Sequence, residues 1–274
     1  INEQCVRQLN GEVDESEIYE PDITNAKEEL AEKSGQTADE ITFSDDALAE
    51  LRRAVLVEEL DGLIFLNPDR YNENNPDIGW ETADEYLSGN VRQKLREAEQ
   101  AASADPAYLP NVEALRSSQP KDLDASEIEV RLGATWIDQK YIQQFMEETF
   151  EPPYYLRRSI QVHFSPFTAE WSISGKSQPS YNDVNAYMTY GTERANAYRI
   201  LEDTLNLRDV RIYDTVTDPD GKERRVLNSK ETTLAQQKQQ AIKDAFRDWI
   251  WKDPERRQTL VQLYNEHFNS TRPR

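Results

Sequence analysis

The apolar residues change period at Pro120, and that change limits the chain to folds that mix helices with a small amount of sheet. Before it, Leu48, Leu51, Val55 and Leu56, and later Val91, Leu95 and Ala98, recur at three- and four-residue spacing, the stripe of an amphipathic helix. Beyond it, Ile128, Val130 and Leu132, then Ile160, Val162 and Phe164, alternate with polar residues, as one face of a strand requires. A chain that runs helices first and then interleaves short strands with further helices reads as α+β. The expected architecture is a helix-rich N-terminal part, a small antiparallel sheet with packed helices, and a C-terminal helical pair.

Local signals place the elements. Residues 3–9 read as a short helix and 11–43 as an acidic loop or partly ordered arm. Ser44 suits an N-cap, and Asp45 and Asp46 suit the positive end of the dipole of a helix over 45–60. Leu63 to Leu66 reads as a short strand closed by Asn67-Pro68, and 69–79 as a polar loop. Thr82 caps a short helix to Leu87. Ser88 caps a longer one to about Ala102, and Asp105-Pro106 breaks it. Val112 to Leu115 starts a further helix that ends at Pro120. Asp138 opens a helix through Tyr141, Phe145 and Met146. The run at Ile160 turns at Ser165 to Thr168 and returns through Trp171 and Ile173 as a hairpin. Ala186, Met188 and Tyr190 suggest another strand, stopped by Gly191, with a helix from about Glu193 to Leu205. Val210, Ile212 and Asp214 begin a strand whose partner is Lys222 to Leu227, across the turn Asp218-Pro219-Asp220-Gly221. Residues 230–251 form a long helix, and Asp253-Pro254 starts a second through Phe268. Four regions result: an acidic helical arm ending in a short strand (1–70), a helical segment (71–125), an α+β domain with hairpins (126–229) and a helical pair (230–274).

Charge narrows the function classes. The net charge of -20 repels nucleic acid and anionic membrane at long range, which argues for solubility and against generic adhesion to either. The balance is uneven: residues 1–60 hold 17 acidic and 5 basic side chains, whereas 192–274 hold 14 and 16. Any nucleic-acid contact is therefore expected in the second half. Five Trp, thirteen Tyr and eight Phe supply core volume despite a hydrophobic fraction of 37%. Cys5 is the single cysteine, which rules out an intrachain disulfide and suits a reducing cytoplasm. No apolar run has the length of a membrane span. The chain opens on Ile1 without an initiator Met and stops at Arg274 without a natural ending, so it reads as an interior piece of a longer protein.

Three motifs invite a catalytic reading and fail it. Gly175-Lys176-Ser177 resembles the end of a phosphate loop, but the position of the upstream Gly is Glu170, and Gln178-Pro179 follows where a helix should start. Glu151-Pro152-Pro153-Tyr154 resembles the Asp/Asn-Pro-Pro-Tyr tetrad of amino-methyltransferases, but Glu is one methylene too long and no Gly-rich cofactor loop precedes it. It reads as a helix terminator. His163 and His267, with Cys5, have no metal-ligand spacing, and no nucleophile–base pair is evident. No catalytic, cofactor or metal residue is expected. The acidic run over 12–46 could mimic DNA phosphate, though a solvated face is the commoner use of such a run. Basic residues beside aromatics are the remaining chemistry, suited to phosphate contact and base stacking. The candidate DNA contacts are Arg157, Arg158, Arg208, Arg211, Lys222, Arg224, Arg225, Arg256 and Arg257.

Several longer stretches carry a resemblance. They are Leu60 to Pro68, Thr82 to Leu95, Pro120 to Leu123, Arg131 to Ile137, Tyr190 to Thr192, Ile200 to Leu207, Glu231 to Lys238 and Phe268 to Arg274. Together they resemble the central region of the large DNA methyltransferase–helicase proteins of phages, plasmids and conjugative elements, some linked to antirestriction. The resemblance spans 60–274. It implies an adenine-specific methyltransferase upstream and a superfamily 2 helicase core downstream, and with them S-adenosylmethionine and ATP/Mg for the parent protein but not for this segment. On that basis the expected role is a non-catalytic connector that positions DNA, with the flanking methyltransferase and helicase domains as partners and no membrane. The alternative is an acidic protein-interaction or scaffold module that never touches DNA.

Overall fold

The computed structural model describes residues 1–13, 18–37, 39–70 and 79–274. Most of the polar loop expected over 69–79 lies outside them. The chain forms two compact units, one of Ile1–Asp122 with Asn265–Arg274, the other of Leu123–Tyr264. The first holds 30 acidic and 13 basic residues, the second 22 and 19, so the first carries -17 of the -20 charge.

In the first unit, α1 (Asn2–Leu9), α2 (Thr24–Ser34) and α3 (Asp45–Glu59) precede β1 (Ile64–Leu66), β2 (Trp80–Thr82), α4 (Ala83–Tyr86), β3 (Gly89–Asn90), α5 (Val91–Ala104) and α6 (Leu109–Ser117). Helix α2 corrects the expected loop over 11–43. Its stripe is weak, with Ala31 its one buried residue, so periodicity could not reveal it. Ser44 accepts from the Ala47 amide and Thr82 from the Glu85 amide, as expected of N-caps. The cap of α5 is Asn90 rather than Ser88, because Gly89 and Asn90 are held in β3. One core gathers Cys5, Val6, Leu9, Leu56, Leu60 and Ile64; another gathers Phe65, Tyr86, Val91, Ala98, Val112 and Leu115.

In the second unit, α7 (Gln139–Phe150) leads to the antiparallel pair β4 (Gln161–Ser165) and β5 (Glu170–Ser174). Then come α8 (Ala197–Leu205), the pair β6 (Tyr213–Thr217) and β7 (Glu223–Leu227), and the helices α9 (Ser229–Ile250) and α10 (Pro254–Phe268), the last of which runs on from Asn265 as part of the first unit. A final strand β8 (Thr271–Arg272) returns to the first unit and pairs with β3. The α+β class holds, and among the described residues the strands are spread over four two-stranded antiparallel pairs. Among the described residues no helix is long and apolar enough to cross a membrane.

Two-stranded pairs leave backbone groups open on both edges, and side chains close them here. Gln139 and Gln143 of α7 accept from the Phe164 and Val162 amides at 2.9 and 2.7 Å on the β4 edge. Glu202 and Asn206 accept from the Ile173 and Trp171 amides at 2.8 Å on the β5 edge. The hairpin is thereby fixed between α7 and α8, with Val162, Trp171 and Ile173 buried and His163 turned outward.

Three expected strands are corrected. Ile128 and Leu132 are buried in alternation, but among the described residues the segment has no partner strand, and a 3₁₀ turn at Ala125–Glu127 precedes it. Residues Asn185–Thr189 form a π-helical turn closed by the Tyr190 amide on the Asn185 carbonyl, not a strand. Gly191 follows because a Cβ there would stand 1.9 Å from the Ala186 carbonyl oxygen. Val210 and Ile212 lie before β6, not in it. Their amides bond the side chains of Gln239 and Thr232 on α9. The helix expected from Glu193 starts at Ala197, where Asn196 supplies the cap.

Candidate nucleic-acid interface

The carboxyl end of α8 builds a cleft lined by four cations. The helix stops at Asn206, and Leu207 takes a left-handed conformation with φ 59°. That reversal aims Arg208 outward, with its amide on the Asp203 carbonyl at 2.9 Å. Gly133 packs against the same corner. At φ +93° it sits where a Cβ would lie 2.4 Å from the Leu205 carbonyl oxygen, so only glycine lets the Arg131 turn come this close. Gln239 of α9, 3% exposed, forms the floor. Its amide donates to the Thr204 hydroxyl at 3.1 Å and the Arg208 carbonyl at 2.8 Å, and accepts from the Val210 amide. Lys243 and Arg247 stand one and two turns further along the same face of α9.

The result is a cleft of about 260 Å³ bordered by Arg131, Arg208, Lys243 and Arg247, with Asp209 as its one lining carboxylate. Among the described residues Arg131, Lys243 and Arg247 form no ion pair. Arg208 approaches Glu170 only at 4.0 Å, with both side chains more than 60% exposed, so water and salt screen that pair. Asp244, beside Lys243 in sequence, takes a hydrogen bond from Gln240 instead. Four convergent cations are what a run of phosphates requires. On α8, burial pushes the Asp203 carboxyl above its ordinary range, against the pull of Arg199, Arg208 and Lys176.

Of the nine residues expected from sequence, only Arg208 borders this cleft. Arg211, Lys222, Arg224 and Arg225 lie on or beside the β6–β7 ribbon, which is exposed along β7 on both faces. There Arg225 lies over the Tyr213 ring at 4.3 Å and Arg224 pairs with Asp218 at 3.0 Å. Arg157 and Arg158 are exposed after the 3₁₀ turn Tyr154–Leu156, beside Tyr154 and Tyr155, which are 87% and 74% exposed. Arg257 is exposed and donates to the Trp251 carbonyl. Arg256 is a correction. It is 7% exposed, donates to the Ile250 and Trp249 carbonyls at 3.1 and 2.6 Å, and lies 3.6 Å over the Trp249 ring. Burial pulls its pKa below the ordinary value, and its donors finish α9 rather than face a phosphate. Arg131, Lys243 and Arg247 were missed. The available signal was the like-charged i, i+4 pair on α9, which a helix keeps only at a cost.

The motifs that suggest cofactors do not fit them. Lys176 is bound to Glu202 at 2.6 Å, and Glu170 opens β5 where a phosphate loop needs glycine. Glu151 is the left-handed cap of α7 and the Tyr154 ring stands in solvent, so Glu151-Pro152-Pro153-Tyr154 encloses no base. Residues 131–270 match a family described as Domain of unknown function (DUF8437). No curated protein and no solved structure matches the chain.

Proposed function

Because the chain belongs to the DUF8437 family, which brings no activity with it, we propose its function from the cleft: a non-catalytic module that positions DNA by its phosphates. The observation that carries this reading is the convergence of Arg131, Arg208, Lys243 and Arg247 on one cleft, three of them unpaired among the described residues, in a chain of net charge -20. Where carboxylates outnumber cations this far, leaving three cations without a carboxylate favours an external anion. Such contacts fix register and orientation and carry no sequence information. The resemblance over 60–274 supports a parent that couples a DNA methyltransferase to a superfamily 2 helicase in a mobile element, in the cytoplasm. The flanking domains are then the partners, and S-adenosylmethionine and ATP/Mg belong to them.

Fluorescence anisotropy of a labelled duplex against the full chain, across a salt series, tests the reading. Binding that weakens steeply with salt is expected. No binding at low salt would refute it. One observation favours a second reading: the first unit carries -17 of the charge, which suits a basic protein partner. Salt-sensitive capture of such a partner by the chain, with no DNA shift, would establish it in place of the first.

A further inference from the structure

A second cleft lies at the amino end of α8, and it differs from the first in having aromatic walls. Asn196 builds it. Its carbonyl oxygen caps α8 through the Arg199 amide at 3.0 Å, while its amide donates to the Lys176 carbonyl at 2.7 Å. The Gly175–Ser177 turn is thus tied to the start of the helix. Arg194 reaches the base of the β6–β7 ribbon, pairing with Asp214 at 2.7 Å and donating to the Tyr213 carbonyl at 2.9 Å. Its own carbonyl accepts from Arg199 at 3.1 Å. The other Arg199 donors are unbonded among the described residues. Lys176 (held by Glu202 at 2.6 Å), Arg194 and Arg199 therefore border one cleft of about 250 Å³, with Glu193 as its lining carboxylate.

Tyr181 and Tyr187 also line it, ring centroids 4.9 Å apart and planes 38° apart. The Tyr187 hydroxyl is anchored on the Pro179 carbonyl at 3.3 Å. Tyr181 is 79% exposed, an aromatic ring supported on one side and open to solvent. An exposed ring beside the open donors of Arg199 and a helix N-terminus matches two parts of one ligand, a flat base and its phosphate. The volume is below the roughly 300–1,000 Å³ of pockets that enclose a whole small-molecule ligand. A base within an intact duplex is stacked on both faces, whereas an unpaired base has a face to offer the ring, so an unpaired base is the fitting occupant.

We propose that the Lys176–Arg194–Arg199 cleft with Tyr181 binds one unpaired nucleotide of single-stranded DNA. The proposal rests on the DNA-positioning reading and extends it. The two clefts occupy opposite ends of the nine-residue α8, about 13 Å apart along its axis. A duplex on the four-cation cleft and an unpaired strand on the aromatic cleft make the module a reader of duplex–single-strand junctions.

The test compares oligothymidylate, a duplex and a forked junction by anisotropy, using the full chain and the variants Tyr181→Ala and Tyr181→Phe. Tyr181→Ala weakens single-strand and junction binding by about 5- to 150-fold, the value of one stacked base. Duplex affinity is unchanged, and Tyr181→Phe, which keeps the ring, restores binding. Photocrosslinking of 5-iododeoxyuridine in the single strand attaches to Tyr181 or Tyr187. Equal single-strand affinity of wild type and Tyr181→Ala, or equal loss on duplex and single strand, overturns the proposal while duplex binding through Lys243 and Arg247 stands. A chain that binds none of the three at low salt overturns both readings.

Discussion

Replacing Lys243 and Arg247 together by Gln separates a binding role from a structural one, because the two roles predict opposite changes. In the folded chain these cations stand four residues apart on one face of α9, without a carboxylate partner among the described residues. Such a like-charged pair costs a helix about 0.2–0.5 kcal/mol. The double variant Lys243→Gln, Arg247→Gln relieves it, so unfolding in urea should show stability unchanged or raised by up to ~0.5 kcal/mol. Duplex binding should move the other way. If all four cations of the cleft meet phosphates, log K falls with log salt at a slope of about -3.6, and removing two contacts halves it to about -1.8. A fourfold rise in salt then weakens the wild type about 150-fold and the variant about 12-fold. Anisotropy titrations at several salt concentrations measure this directly. An unchanged slope refutes the phosphate contacts. A loss of more than ~1 kcal/mol of stability refutes the claim that α9 tolerates the pair only for binding.

Gly133→Ala should cost ~2–4 kcal/mol by denaturant melt, since a Cβ at φ +93° meets the Leu205 carbonyl oxygen at 2.4 Å and cannot relax without moving the corner. Arg256→Ala should cost ~3 kcal/mol, from two carbonyl hydrogen bonds and the Trp249 contact, while leaving the salt slope of duplex binding intact. Asp203→Asn should stabilise the chain at neutral pH. Burial raises the folded-state pKa of Asp203 above its unfolded value, so its favourable contribution is complete below the unfolded pKa and is lost as pH rises through the folded one. Urea midpoints of wild type and variant should therefore converge as the solution is acidified, and a gap that widens in acid would contradict this.

The sequence signals that succeeded are those whose cause lies within a few residues. Ser44, Thr82 and Asp138 were legible as caps because a cap needs only its own side chain and an amide two or three residues on. The β4–β5 hairpin was legible because its alternation faces a core on one side. The signals that failed depend on distant partners. Ile128, Val130 and Leu132 alternate like a strand, yet what they lack is a second strand, which no local pattern reports. Val210 and Ile212 alternate too, but Gln239 and Thr232, more than a full helical turn apart on α9, take the bonds a strand would. Arg256 looked like half of an exposed basic pair. Its four-residue spacing to the buried Leu260 was the sign that it faces inward. At the cleft, Arg208 was legible from local charge and Arg131 was not, because only the fold brings residue 131 to residues 243 and 247.

The net charge argues against generic adhesion to DNA, and that argument has a limited range. Repulsion between a -20 chain and a phosphate backbone acts over distances that salt shortens to about 8–10 Å near physiological ionic strength. Inside that distance the nearest charges decide. The second unit, with 22 acidic and 19 basic residues, is close to neutral, so its local field is set by arrangement rather than by sum. Its carboxylates are partly spent inside the fold: Glu202 on the β5 edge and Lys176, Asp214 on Arg194 and Asn228, Asp218 on Arg224. The cations around Gln239 are not spent in this way. A net charge of -20 on a chain that carries a cationic cleft should slow encounter and reject weak, non-specific association while leaving the docked contacts intact. Raising salt therefore has two opposed effects on this chain, faster approach and weaker hold. The first should appear in the association rate and the second in the dissociation rate, and stopped-flow anisotropy resolves them. An association rate that falls steeply with salt would mean that the approaching DNA is drawn in by a positive field, which would contradict this account.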